Sequence, residues 1–163
     1  MPESRINCPT ETDTFIKWRG MASILIALAG CATTTMAVPE KDAAAKSFAT
    51  TAGLANVYVY RLSATAGAEK YVVSLDGRRV GESASGTFLH ALVAPGPHTI
   101  VLSGRSQASF AFSAEARTNV FIKVDPHVSW WWPTPTTIHL LQVSDQEGAM
   151  RDVMRCDLAQ EPE

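Results

Sequence analysis

Ala108-Ser109-Phe110-Ala111-Phe112-Ser113, residues 108–113, sets large apolar side chains at every second position. Successive side chains of an extended chain point to opposite faces, so Phe110 and Phe112 share one face while Ser109, Ala111 and Ser113 share the other. One face is core and the other meets water. The same period of two runs outward in both directions. Residues 119–124 set Val120, Ile122 and Val124 against Phe121 and Lys123, and residues 56–61 set Val57 and Val59 against Tyr58 and Tyr60. Residues 71–75 and 78–81 flank Asp76-Gly77, a pair that tolerates the positive φ of a type I′ turn and so predicts a two-residue hairpin. A second hairpin is expected between residues 87–93 and 98–103, where Ala94-Pro95-Gly96-Pro97 puts Pro95 and Gly96 in the places a type II turn prefers. Pro97 has no N–H, so that turn must be open.

With residues 137–143 as a last strand, the count is about seven. Short strands broken by turn residues at this spacing predict an all-β domain, a sandwich of immunoglobulin-like size. One short C-terminal helix should close it. Ser144-Asp145-Gln146-Glu147 has a capping-box pattern, after which Met150, Val153, Met154 and Leu158 fall on one face and Arg151, Asp152 and Arg155 point elsewhere.

Composition agrees with a folded domain, since 163 residues carry 46% hydrophobic and 18% charged side chains. The net charge of -2 and the lack of any basic cluster longer than Arg78-Arg79 argue against a nucleic-acid partner.

Before the strands the chain has another character. Lys17 and Arg19 precede an uncharged run over residues 21–30, the layout of a secretory signal. The run is about ten residues long, where a transmembrane helix needs about 20. It ends in Leu28-Ala29-Gly30-Cys31, which resembles the lipobox of bacterial lipoproteins, where a hydrophobic residue and two small ones precede a cysteine that is acylated and becomes the mature N-terminus. The resemblance implies cleavage between Gly30 and Cys31, lipidation of Cys31, and a membrane partner reached through its acyl chains. A single fatty acid binds a membrane only marginally, whereas the two or three chains of such lipoproteins anchor stably. An aspartate after the acylated cysteine tends to retain lipoproteins of this kind at the inner membrane. Ala32 and Thr33 stand there instead, so the resemblance implies an outer-membrane location facing the periplasm.

The expected organisation is a signal peptide over residues 1–30, a lipidated N-terminus and flexible tether over 31–53, and a β-sandwich over 54–160. The tether is rich in Ala and Thr and lacks strand alternation. Residues 39–47 have helix formers but no broad apolar face. Fully extended, such a tether reaches about 60–70 Å.

Catalytic patterns are missing. Gly81-Glu82-Ser83-Ala84-Ser85 begins like a nucleophile elbow but lacks its second glycine and the following helix, as does Gly104-Arg105-Ser106. His90, His98, His127 and His139 have no metal-ligand spacing, so neither a metal nor another cofactor is implied. Asp76 and Asp145 are accounted for by a turn and a helix start. With Cys8 removed and Cys31 lipidated, Cys156 has no partner in the mature chain. It is then a buried thiol on the closing helix, or, in an oxidising periplasm, one half of an intermolecular disulfide.

Trp130-Trp131-Trp132, followed by Pro133, is the most unusual run. In extended chain Trp130 and Trp132 share a face and Trp131 takes the other. Three readings compete: rings capping the sandwich, a binding patch for an envelope protein or glycan, or an anchor at the bilayer interface.

Several stretches together resemble small bacterial lipoproteins that bear a domain of unknown function with a prealbumin-like or immunoglobulin-like sandwich. They are AKSFA and ANVYVYRL, the hairpin VSLDGRRVGES, the turn VAPGPHTI, the strand TNVFIKVD and the close LLQVSDQEGAMRDVMRCDLA. APGPHTI is also similar to the turn of PEGA-type β domains. The resemblance implies an envelope lipoprotein, without catalytic residues, acting as a structural or protein-interaction module. The alternative is a periplasmic glycan- or small-ligand-binding module using the three tryptophans.

Overall fold

A computed structural model describes residues 34–62, 69–128 and 135–160. All of them fall in the compact unit Cys31–Glu163. The fold is an all-β sandwich with short helices. Among the described residues the strands number nine: β1 (Ala55–Arg61), β2 (Tyr71–Leu75), β3 (Arg78–Ser83), β4 (Thr87–Val93), β5 (Gly96–Ser103), β6 (Gln107–Ala114), β7 (Asn119–Val128), β8 (Pro135–Gln142) and β9 (Asp157–Leu158). Helix α1 (Pro39–Ala45) precedes them and α2 (Gln146–Met154) lies between β8 and β9. One sheet has the order β8-β7-β1-β4-β9 and the other β3-β2-β5-β6.

The alternation at residues 108–113 is realised in β6. Phe112 is buried and Phe110 half-buried on the core side, and Ser109, Ala111 and Ser113 are exposed. Strand β1 is the central element, pairing parallel with β7 and antiparallel with β4. Its two faces serve two cores, so all seven of its residues are buried. Val57 and Val59 join Val73, Ile100, Leu102, Val120 and Ile122 between the sheets. Tyr58 and Tyr60 face outward into a second cluster with Phe88, Phe121, Ala149 and Val153, over which α1 and α2 lie. Tyr58 and Phe121 stack with ring centroids 5.0 Å apart. Burying one such ring contributes about 1.5–3 kcal/mol, so the helix-covered face is a true second core.

The Asp76-Gly77 hairpin forms as expected, with φ of 51° and 81° at the two turn residues. Four expectations need correction. First, β4 and β5 are not a hairpin: β4 pairs with β1 and β5 with β2 and β6, so Ala94-Pro95-Gly96-Pro97 carries the chain from one sheet to the other. Second, the N-cap of α2 is Asp145, whose Oδ1 accepts from the Gly148 amide at 3.0 Å, in place of a Ser144–Glu147 box. Third, α2 buries Ala149 and Val153, whereas Met154 is 56% exposed. Leu158 follows the helix in β9 and extends the five-stranded sheet.

The fourth correction concerns the tether. From Thr34 onward the segment is part of the domain. Thr34 and Ala45 are buried, and Met36 forms an antiparallel bridge with Ala159.

Candidate functional site

The N-terminal segment is fastened to the five-stranded sheet step by step. The Ala37 amide donates to the Leu158 carbonyl at 2.9 Å, and the Gln160 amide donates to the Thr35 carbonyl at 2.8 Å. Pro39 starts α1 where its missing N–H costs nothing. In α1, Asp42 accepts from the Leu158 amide at 2.9 Å and pairs with Lys46 at 2.8 Å. The helix ends against β1, where the Tyr58 hydroxyl donates to the Ala45 carbonyl at 2.9 Å. Burial pushes that phenol up to about 12, so it stays a donor at any ordinary pH.

Phe48 then turns the chain, with a φ of 53°, and lays its ring 5.3 Å from Tyr58 and 6.0 Å from Phe121. Two asparagines hold this corner. The parallel register of β1 and β7 sets Asn56 beside Asn119. Asn56 Nδ2 donates to Asn119 Oδ1 at 2.7 Å and to the Ala49 carbonyl at 3.1 Å, and Asn119 Nδ2 donates to the Phe48 carbonyl at 3.1 Å. Sequence reading missed both residues. Their one signal is that each stands at the head of an apolar strand, immediately before a valine.

Two open cavities flank His90 on β4. One, of about 450 Å³, lies between α1 and the 158–160 segment, with Met36, Val38 and Lys41 on its wall. The other, of about 520 Å³, is walled by Leu75, Arg78, Val80, Leu92 and His98. His90 stacks on Tyr58 at 4.9 Å, and its Nε2 is 3.1 Å from Asn56 Oδ1.

His98 closes the far end of the second cavity. Its Nδ1 is 2.7 Å from Asp76 Oδ2 and its Nε2 is 2.7 Å from the Ala94 carbonyl. Both partners only accept, so each ring nitrogen must carry a proton and the geometry calls for the imidazolium. Burial opposes that charge, but the hydrogen bonds to Asp76 and Ala94 and the Asp76 charge outweigh it and raise the pKa. Asp76 is held below the usual carboxylate range by the bond to His98 and by the Thr99 amide, which donates at 2.8 Å. The β2–β3 turn is thereby pinned to the start of β5.

Gly30, Cys31 and Trp130, Trp131 and Trp132 lie outside the described residues. In the chain the tryptophans connect β7 to β8. The remaining histidines, His127 and His139, are exposed and meet edge to face at 6.3 Å. Among the described residues no three His, Cys, Asp or Glu side chains are grouped to hold a metal ion, and no helix is long and apolar enough to cross a membrane. Ser83 is 1% exposed on β3, so the elbow-like stretch does not present its hydroxyl. Cys156 is equally buried, and its thiol points to the Arg61 carbonyl at 3.7 Å. Burial first, then Asp152 and Asp157, push the thiol up to about 11. Such a thiol behaves as a small core side chain and is sheltered from intermolecular pairing.

Residues 51–131 match the family described as "Protein of unknown function (DUF2846)". The chain is also similar to an "Uncharacterized protein" of Haemophilus influenzae, 29% identical over 127 residues, which cover 77% of this chain and 74% of the relative. No solved structure matches the chain. The sandwich therefore carries a domain of unknown function, as the resemblance in its sequence implied.

Proposed function

We propose that the chain is an envelope lipoprotein, acylated at Cys31, whose sandwich serves as a non-enzymatic structural or protein-interaction module. The observation that carries this reading is Leu28-Ala29-Gly30-Cys31 at the end of an uncharged run behind Lys17 and Arg19. The run is too short to span a bilayer and breaks at the one residue type whose thiolate accepts a lipid. Ala32 and Thr33 after Cys31, where an aspartate would favour retention at the inner membrane, support an outer-membrane location with the domain facing the periplasm. Trp130, Trp131 and Trp132, which follow β7 and precede β8 in the sequence, are the residues that would engage an envelope protein.

The test is Cys31→Ser in cells, followed by detergent-phase partition and separation of the two membranes by density. Wild type should enter the detergent phase at mature size and sediment with the outer membrane, while the variant accumulates as unprocessed precursor. A Cys31→Ser protein of mature size that still partitions as lipid-modified would refute the reading.

A further inference from the structure

We infer that the face carrying Met36, Val38 and Lys41 is a seating surface for a phospholipid bilayer, on which the domain rests directly. The inference rests on acylation of Cys31 and adds to it where the domain then lies and which way it faces.

Cys31 and Thr34 are three residues apart, a span of about 10 Å at full extension. Beyond Thr34 there is no slack. Thr34 is 9% exposed, the Thr35 carbonyl and the Ala37 amide are hydrogen-bonded to the 158–160 segment, and α1 follows at once. A domain spanning residues 34–160 has a radius of gyration of about 14 Å, longer than its leash. Acyl chains in the hydrocarbon hold Cys31 at headgroup depth, and each headgroup layer is about 5–8 Å thick. The domain can therefore neither lift clear of the surface nor roll over to present its opposite side.

The side held down is suited to lipid. Met36 is 46% and Val38 54% exposed, and both stand at the mouth of the 450 Å³ groove. Scattered exposed apolar residues are ordinary on any protein; these two lie within five and seven residues of the anchor, where contact is enforced. Lys41 can rest its stem on the apolar rim and its ammonium among phosphates. The neighbouring Glu40 is also exposed and balances that charge, so seating depends on apolar contact and the leash and does not require anionic lipid.

The experiment uses the acylated full-length product in phosphatidylethanolamine/phosphatidylglycerol vesicles, with a nitroxide on Val38→Cys or on Ser109→Cys. Ser109 is exposed on β6, on the outer face of the four-stranded sheet, away from α1. Cys156 is buried and stays unlabelled. Collision with a water-soluble nickel chelate should be at least threefold weaker at Val38 than at Ser109. Acylated protein, verified by mass, with less than a threefold difference overturns the seating and leaves the lipoprotein reading standing. Protein recovered without acyl chains overturns both.

Discussion

Replacing Asn56 by Ala should release the N-terminal segment from the sheet, and the size of the loss follows from three polar contacts. The side chain is 2% exposed. Its Nδ2 donates to Ala49 and Asn119, and its Oδ1 faces His90 Nε2. Each bond contributes about 0.5–1.5 kcal/mol net, so their joint removal costs about 3 kcal/mol. For residues 34–160, unfolding entropy near 2.1 cal/mol/K per residue amounts to about 0.27 kcal/mol/K, which converts this loss to a Tm drop of about 11 °C. Circular dichroism in detergent measures the drop, and hydrogen exchange shows where it arises: amides 37–49 should exchange faster, while those of β5 and β6 follow global stability. Asn56→Asp keeps the shape but turns the donor into an acceptor facing the Ala49 carbonyl, and should cost at least as much. A Tm change under about 3 °C for Asn56→Ala, with unchanged exchange at 37–49, would refute the assigned role of the clamp.

Phe121 is 0% exposed in the helix-covered core, so Phe121→Ala should destabilise by about 3–5 kcal/mol, while Ser109→Ala on the wet face of β6 should stay within about 0.5 kcal/mol. Equal melting shifts for the two would contradict the assigned faces. The His98–Asp76 pair should make stability depend on pH. His98 has a raised folded pKa, so its contribution is complete below 6.5 and fades as pH climbs through the raised value. Asp76 has a lowered folded pKa, so its contribution is complete above 3.8 and fades as pH falls through the lowered value. The stability gap between wild type and His98→Gln should thus be widest between these two ordinary values and narrow toward alkaline pH. A gap of the same size at about pH 5 and about pH 9 would remove the case for an imidazolium.

Periodicity and turn chemistry were enough to expose the sandwich, because each is local. The alternation around Phe110 and Phe112 and the Asp76-Gly77 turn depend only on adjacent residues, and both appear where expected. The destination of a strand is not local. Pro95 and Gly96 reverse the chain whether the next strand joins the same sheet or the other, so the crossover from β4 to β5 could not be read from them. The docked segment was hidden for a different reason. It is held by Tyr58, Asn56, Asn119 and Asp42 through bonds to backbone atoms, and it buries little apolar surface beyond Ala45 and Phe48. A search for amphipathic faces is blind to that kind of attachment. Leu158 matched a helical face by spacing alone, although the chain leaves the helix after Met154 and enters the sheet edge at Asp157.

The most direct test of the lipoprotein reading is intact and peptide mass spectrometry of the protein extracted from membranes. The N-terminal peptide should begin at Cys31 and carry the added mass of a diacylglyceryl group, with or without a third acyl chain. An N-terminus upstream of Gly30, or an unmodified Cys31, would contradict it.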